Sequence, residues 1–96
     1  MTDERPKATS TIQVDNDRLR VAEWRFAPGA ETGWHRHEYD YAVVPMTTGK
    51  LLLEEPDGER IAELTAGVSY ARAEGVEHNV INANDYEFVF VEVEIK

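Results

Sequence analysis

Turn chemistry punctuates this chain at short, even intervals, and no window between the breaks carries a helical period. The breaks fall at Asp15-Asn16-Asp17, Pro28-Gly29, Thr47-Thr48-Gly49, Pro56-Asp57-Gly58, Ala66-Gly67, Glu74-Gly75 and Asn84-Asp85. The segments between them, residues 10–14, 19–26, 34–37, 39–46, 50–55, 60–64, 69–73, 77–82 and 86–95, read as strands, with a kink at most between the third and fourth. Pro56-Asp57-Gly58 reads as a hairpin turn. Residues 19–26 alternate, with Ala22, Trp24 and Phe26 on one face and Leu19, Val21 and Glu23 on the other. Many short strands at even spacing predict an all-β fold, an antiparallel barrel or two-sheet sandwich. Residues 1–9 are polar, contain Pro6 and read as a loose arm. Residues 10–96 then form a single domain.

The bulk properties limit what such a barrel can do. With 96 residues the chain holds one small core. It has no cysteine, which removes disulfides, thiolate ligands and cysteine nucleophiles. Its 19 acidic residues against 10 Lys plus Arg give a net charge of −9, which disfavours nucleic acid and anionic membrane as partners. No apolar leader opens the sequence and no run is long enough to span a bilayer, so a cytoplasmic location is expected.

His35, His37 and His78 are the only histidines. On a strand, residues two apart point the same way, so His35 and His37 present their rings on one side. A third imidazole from another strand would complete a three-nitrogen cap with open positions opposite it. That is the arrangement of a catalytic metal site rather than a closed structural one.

Two dispersed motifs give the chain a resemblance to the cupins. Gly29, five residues, His35-Arg36-His37 and a closing Gly49 match the family's first motif. Gly67, five residues, Ala73-Glu74-Gly75, two residues, His78, three residues and Asn82 match the second at every spacing. The resemblance covers over half the chain. More narrowly, the segments HRHEYDYAVVP and GVEHNVINAND resemble small single-domain cupins associated with bacterial β-alanine catabolism. The resemblance implies a cupin (double-stranded β-helix, jelly-roll) barrel of two antiparallel sheets. It implies His35, His37 and His78 as ligands of a divalent transition metal, Fe, Zn, Ni or Mn. There are two departures. Ala73 replaces a turn-stiffening proline. The first motif's glutamate is missing, since Tyr41 or Ala42 stands where it would fall. Asp40 would need a bulge to be re-aimed into its place. A metal held by three neutral imidazoles keeps its full +2 charge and attracts anionic ligands more strongly than one sharing a carboxylate.

Strand parity extends the site. His35, His37, Tyr39, Tyr41 and Val43 share one face if their strand is unbroken, placing two phenols near the metal as hydrogen-bond donors or a proton relay. Arg72, just before the replaced proline, either points inward to meet a substrate carboxylate or lies at the rim paired with Glu74, Glu77 or another acid. Trp24 and Trp34 read as core. Glu54-Glu55 and the Glu92/Glu94 pair read as solvated faces or edge protection, and Asn82 as a turn residue. Leu19 and Val21 offer apolar surface for pairing, and a homodimer is expected. Taken together, these residues point to a metal-dependent enzyme acting on a small anionic, carboxylate-bearing metabolite, by O2-dependent cleavage or by isomerase or lyase chemistry. Tyr39, Tyr41 and Arg72 are its candidate catalytic residues. The alternative is a barrel that binds a small ligand or metal without turnover.

Overall fold

The computed structural model describes residues 4–96. Nine strands and no helix appear among them, so none has a helix long and apolar enough to cross a membrane. The strands are β1 (Thr9–Asp15), β2 (Leu19–Phe26), β3 (His35–Arg36), β4 (Asp40–Pro45), β5 (Gly49–Glu55), β6 (Gly58–Leu64), β7 (Tyr70–Arg72), β8 (Glu77–Asn82) and β9 (Phe88–Ile95). They form a five-stranded sheet in the order β1-β2-β9-β4-β7 and a four-stranded sheet in the order β3-β8-β5-β6. All their pairings are antiparallel. The all-β two-sheet expectation therefore holds.

Register decides which side chains face the space between the sheets. Across the five-stranded sheet, Trp24 pairs with Phe90 and Phe90 with Pro45. One inward step along, Ala22 pairs with Glu92, Glu92 with Val43 and Val43 with Tyr70. One step further the row is Arg20, Glu94, Tyr41 and Arg72. The opposite wall comes from Leu51 and Leu53 on β5, paired with Asn82 and Val80 on β8. Phe26, Phe88, Leu51 and Phe90 fill the closed end, with the rings of Phe26 and Phe90 5.4 Å apart. A fully buried side chain of this size is worth roughly 1.5–3 kcal/mol.

Asn82 is 2% exposed and ties the closed end together. Its amide donates to the carbonyls of Phe26, Ala27 and Tyr86, and its Oδ1 accepts from the backbone and side chain of Asn84. It serves turns, as expected, but three segments of them at once. Two other expectations need correction. Trp34 is 54% exposed, because it stands in the bend that precedes β3 rather than on a paired strand. The arm is not loose along its whole length. Residues 1–3 lie outside the described residues, but the Ala8 amide donates to the Glu31 carbonyl and the Glu31 amide to that of Pro6. Strand β1 already begins at Thr9.

Candidate metal centre

The three histidines reach one point by different routes. His35 on β3 sits directly opposite His78 on β8. His37 lies just past the end of β3, where its backbone is clamped on both sides. Its amide donates to Val76 and its carbonyl accepts from the Gly75 amide, each at 2.8 Å. Gly75 makes this clamp in a left-handed conformation, φ 93°, that a side chain would strain. The Nε2 atoms of His35 and His37 stand 3.0 Å apart, and those of His37 and His78 3.1 Å apart. His37 and His78 are each 5% exposed.

The protonation of these rings follows from their surroundings. His35 Nδ1 lies 2.9 Å from the Gly33 carbonyl, an acceptor only, so Nδ1 carries a hydrogen and Nε2 is the nitrogen turned toward His37. Burial, followed by the proximity of His35, pushes His37 down to about 4 and His78 down to about 3. Both rings are neutral at ordinary pH, the form that binds metal. Ring nitrogens this close share either a proton or a cation, and three imidazoles converging on one point are a donor set that fits a bound metal ion.

No carboxylate joins the cluster; among the described residues it consists of the three histidines alone. Asp40 is exposed, and its carboxylate accepts a hydrogen bond from the Glu74 amide at 2.9 Å, which caps a turn. No bulge re-aims it inward.

A small cavity opens beside the centre, with His35, His78, Tyr41, Arg72, Tyr70 and Glu92 among its walls. Tyr41 is 3% exposed, and its ring stacks on His37 at 3.8 Å. Its hydroxyl is buried with no partner, and burial raises its pKa, so it stays a protonated donor. Arg72 combines both arrangements considered from sequence. It borders the cavity, and its Nη1 lies 3.7 Å from a Glu55 oxygen. That contact is long, and Glu55 already accepts two shorter bonds from Arg60, so Arg72 retains donors for another anion.

Tyr39 does not reach the cavity. The chain leaves extended geometry between His37 and Tyr39, so the unbroken-strand premise fails there, and the Tyr39 ring lies 6.0 Å from the Arg20 guanidinium instead. Glu92 and Glu94 are not on a solvated face, because register turns both inward. Glu94 takes Arg20 in a two-pronged pair at 2.9 and 3.3 Å. Glu92 borders the cavity, as do Trp24 and Tyr70. The signal for Glu92 was its parity with Phe88 and Phe90 along residues 86–95.

Comparison with known proteins agrees with this geometry. Residues 22–94 match the cupin domain family, and the chain belongs to that family. It is 65% identical over 92 residues to the β-alanine degradation protein BauB of Pseudomonas aeruginosa, covering 96% of this chain and 97% of that protein. The crystal structure of a cupin domain from Bordetella pertussis Tohama I superposes with a TM-score of 0.98 at 66% identity, covering 99% of both chains. The polyketide cyclase RemF of Streptomyces resistomycificus shares the fold, with a TM-score of 0.73 at 23% identity, over 95% of this chain and 68% of that one.

Proposed function

We propose that this cupin is a metal-dependent enzyme acting on a small carboxylate-bearing metabolite. The observation that carries the reading is a cluster of three convergent imidazoles, two of which, His35 and His78, line one cavity with Tyr41, whose hydroxyl is buried and unpartnered, and the half-committed Arg72. His35, His37 and His78 would hold a divalent transition metal. Imidazole donors suit Fe, Zn, Ni or Mn. Such an ion supplies Lewis acidity toward a substrate oxygen. Arg72 binds the substrate carboxylate, and Tyr41, packed on His37, donates a hydrogen bond or a proton to the atom held beside it. This division of labour suits isomerase or lyase chemistry and also O2-dependent cleavage. The β-alanine link of the Pseudomonas relative favours three-carbon acids.

Elemental analysis of untagged protein tests the metal. About one divalent transition ion per chain is expected, and replacing any one of the three histidines with Ala should abolish tight binding while the barrel still folds. Protein that contains no metal, and whose melting temperature ignores added Fe, Ni, Mn and Zn, would refute the reading.

A homodimer is part of the same proposal. Strand β1 is exposed along all seven residues, with Ile12 54% and Val14 41% exposed, and one of its edges is unpaired. Such an edge invites pairing with a second chain. Leu19 and Val21, both half-buried, border it. Sedimentation at micromolar concentration should report a dimer, and a species of 10.9 kDa would exclude it.

A further inference from the structure

The cavity has a second polar group that the metal centre leaves unused. Glu92 stands mid-strand on β9, flanked by Ala22 and Val43, and faces inward. The acids near it have cations: Glu94 has Arg20, and Glu55 has Arg60 and, more distantly, Arg72. Glu92 makes no hydrogen bond or ion pair with any described residue. It shares the cavity wall with the aromatic side chains of Trp24, Tyr70 and Phe90. Tyr70 lies in its own cross-strand row, and Trp24 and Phe90 lie in the next. A half-buried carboxyl without a cation, on a cavity wall shared with aromatic side chains, is the chemistry that captures an ammonium group.

Spacing links this group to the anion-binding end. Tyr41 and Arg72 lie in the row one inward step from Glu92, about 7 Å along the strand. A ligand spanning that step carries an amine at one end and a carboxylate at the other, on a short chain.

We propose that the cavity is a two-ended receptor for a short zwitterionic amino acid, with Glu92, Trp24 and Tyr70 taking the ammonium and Arg72 with the histidine centre taking the carboxylate. This rests on the metabolite-site reading above and adds the second end to it. The carboxyl is suited to the role. Burial, and secondarily Glu94, holds it up to about 7 against the pull of Arg20, and a docked ammonium would draw it back down into its ionised form.

Calorimetric titration of the full-length, metal-loaded protein at mildly alkaline pH separates the two ends. The probes are β-alanine, 3-hydroxypropanoate, which keeps the carboxylate and loses the ammonium, and propylamine, which does the reverse. β-Alanine should bind at least about tenfold more tightly than either. Glu92→Gln, close to isosteric, should erase its advantage over 3-hydroxypropanoate while leaving the affinity for 3-hydroxypropanoate within about threefold. Arg72→Ala should weaken both acids alike and preserve their ratio. If 3-hydroxypropanoate binds as tightly as β-alanine, or Glu92→Gln leaves the ratio intact, the zwitterion inference is overturned and the carboxylate-site reading stands. If no probe binds, both fall.

Discussion

Glu31 and Glu92 lie on opposite sheets of the barrel, and their surroundings drive them in opposite directions. Glu31 bridges to Ile81 on the outer side of the four-stranded sheet, where it accepts hydrogen bonds from Asn79, Lys7 and Arg5. Those partners, Asn79 foremost, hold it down to about 2. Glu92 faces the cavity of the five-stranded sheet with no such partner, and burial holds it up to about 7. The side-chain chemistry is the same in both, so partners decide. An acid saturated with donors closes a structural joint, here the one that fastens the N-terminal segment. A half-buried acid without them is a cost to the fold, and such costs persist where a ligand relieves them. The same contrast separates Asn82, whose bonds are all made inside the closed end, from the Tyr41 hydroxyl and His78 Nδ1, both buried and unpartnered at the open end.

If that contrast is right, binding should stabilise the cavity end far more than any ligand stabilises the outer joint. The largest expected effect is metal loading. A metal present at a thousandfold excess over its Kd should add about 4 kcal/mol to the unfolding free energy, and His78→Ala should remove that gain. Chemical denaturation with and without chelator measures it. A chelator that changes nothing would erase the distinction between the two ends.

Next in size is the pair of acid replacements. Glu31→Gln should cost about 1–2 kcal/mol near neutral pH, since three donors lose a charged acceptor near the surface. Glu92→Gln should instead stabilise the ligand-free protein by about 1–2 kcal/mol under mildly alkaline conditions, where the half-buried acid must ionise. Equal signs from denaturant midpoints would break the comparison.

The pH profiles should diverge as well. The contribution of Glu31 is present above its ordinary value near 4.5 and is lost as pH falls toward about 2. That of Glu92 runs the other way. It is fully present below about 4.5 and lost as pH rises through about 7, so the advantage of Glu92→Gln should grow across that interval and then level off. Melting curves of both proteins across the interval decide this. Parallel profiles would mean that Glu92 is solvated.

The smallest expected effect is at Tyr41. Tyr41→Phe removes a buried, unpartnered hydroxyl and should leave the free protein unchanged or up to about 1 kcal/mol more stable, while weakening carboxylate binding. A loss of stability in the free protein would mean that this hydroxyl has a structural partner.

The strands and the three histidines were legible because both signals are local. Alternation over residues 19–26 and the turn residues that bracket 77–82 mark strands with the bounds later observed. The spacing of His35, His37 and His78 within two motifs was enough to bring their Nε2 atoms together in a barrel whose connections that spacing implies. Tyr39 and Trp34 went astray where the chain leaves regular geometry on either side of β3, since parity fails across a break.

Glu92 shows the deeper limit. Alternation states which residues share a face of a strand, and by that rule Glu92 and Glu94 go with Phe88 and Phe90. It does not state which face the second sheet will cover, or how far along the strand the cover extends. An acid on the covered face looks the same in sequence as one in water. The sequence by itself determined the strand pattern, the histidine cluster and the acidic charge. Only the stacking of β3, β8, β5 and β6 over the five-stranded sheet decided that Trp24, Tyr41, Tyr70, Arg72 and Glu92 would share one cavity. These residues come from strands far apart in the chain, and what each meets is set by long-range pairing that no local period encodes.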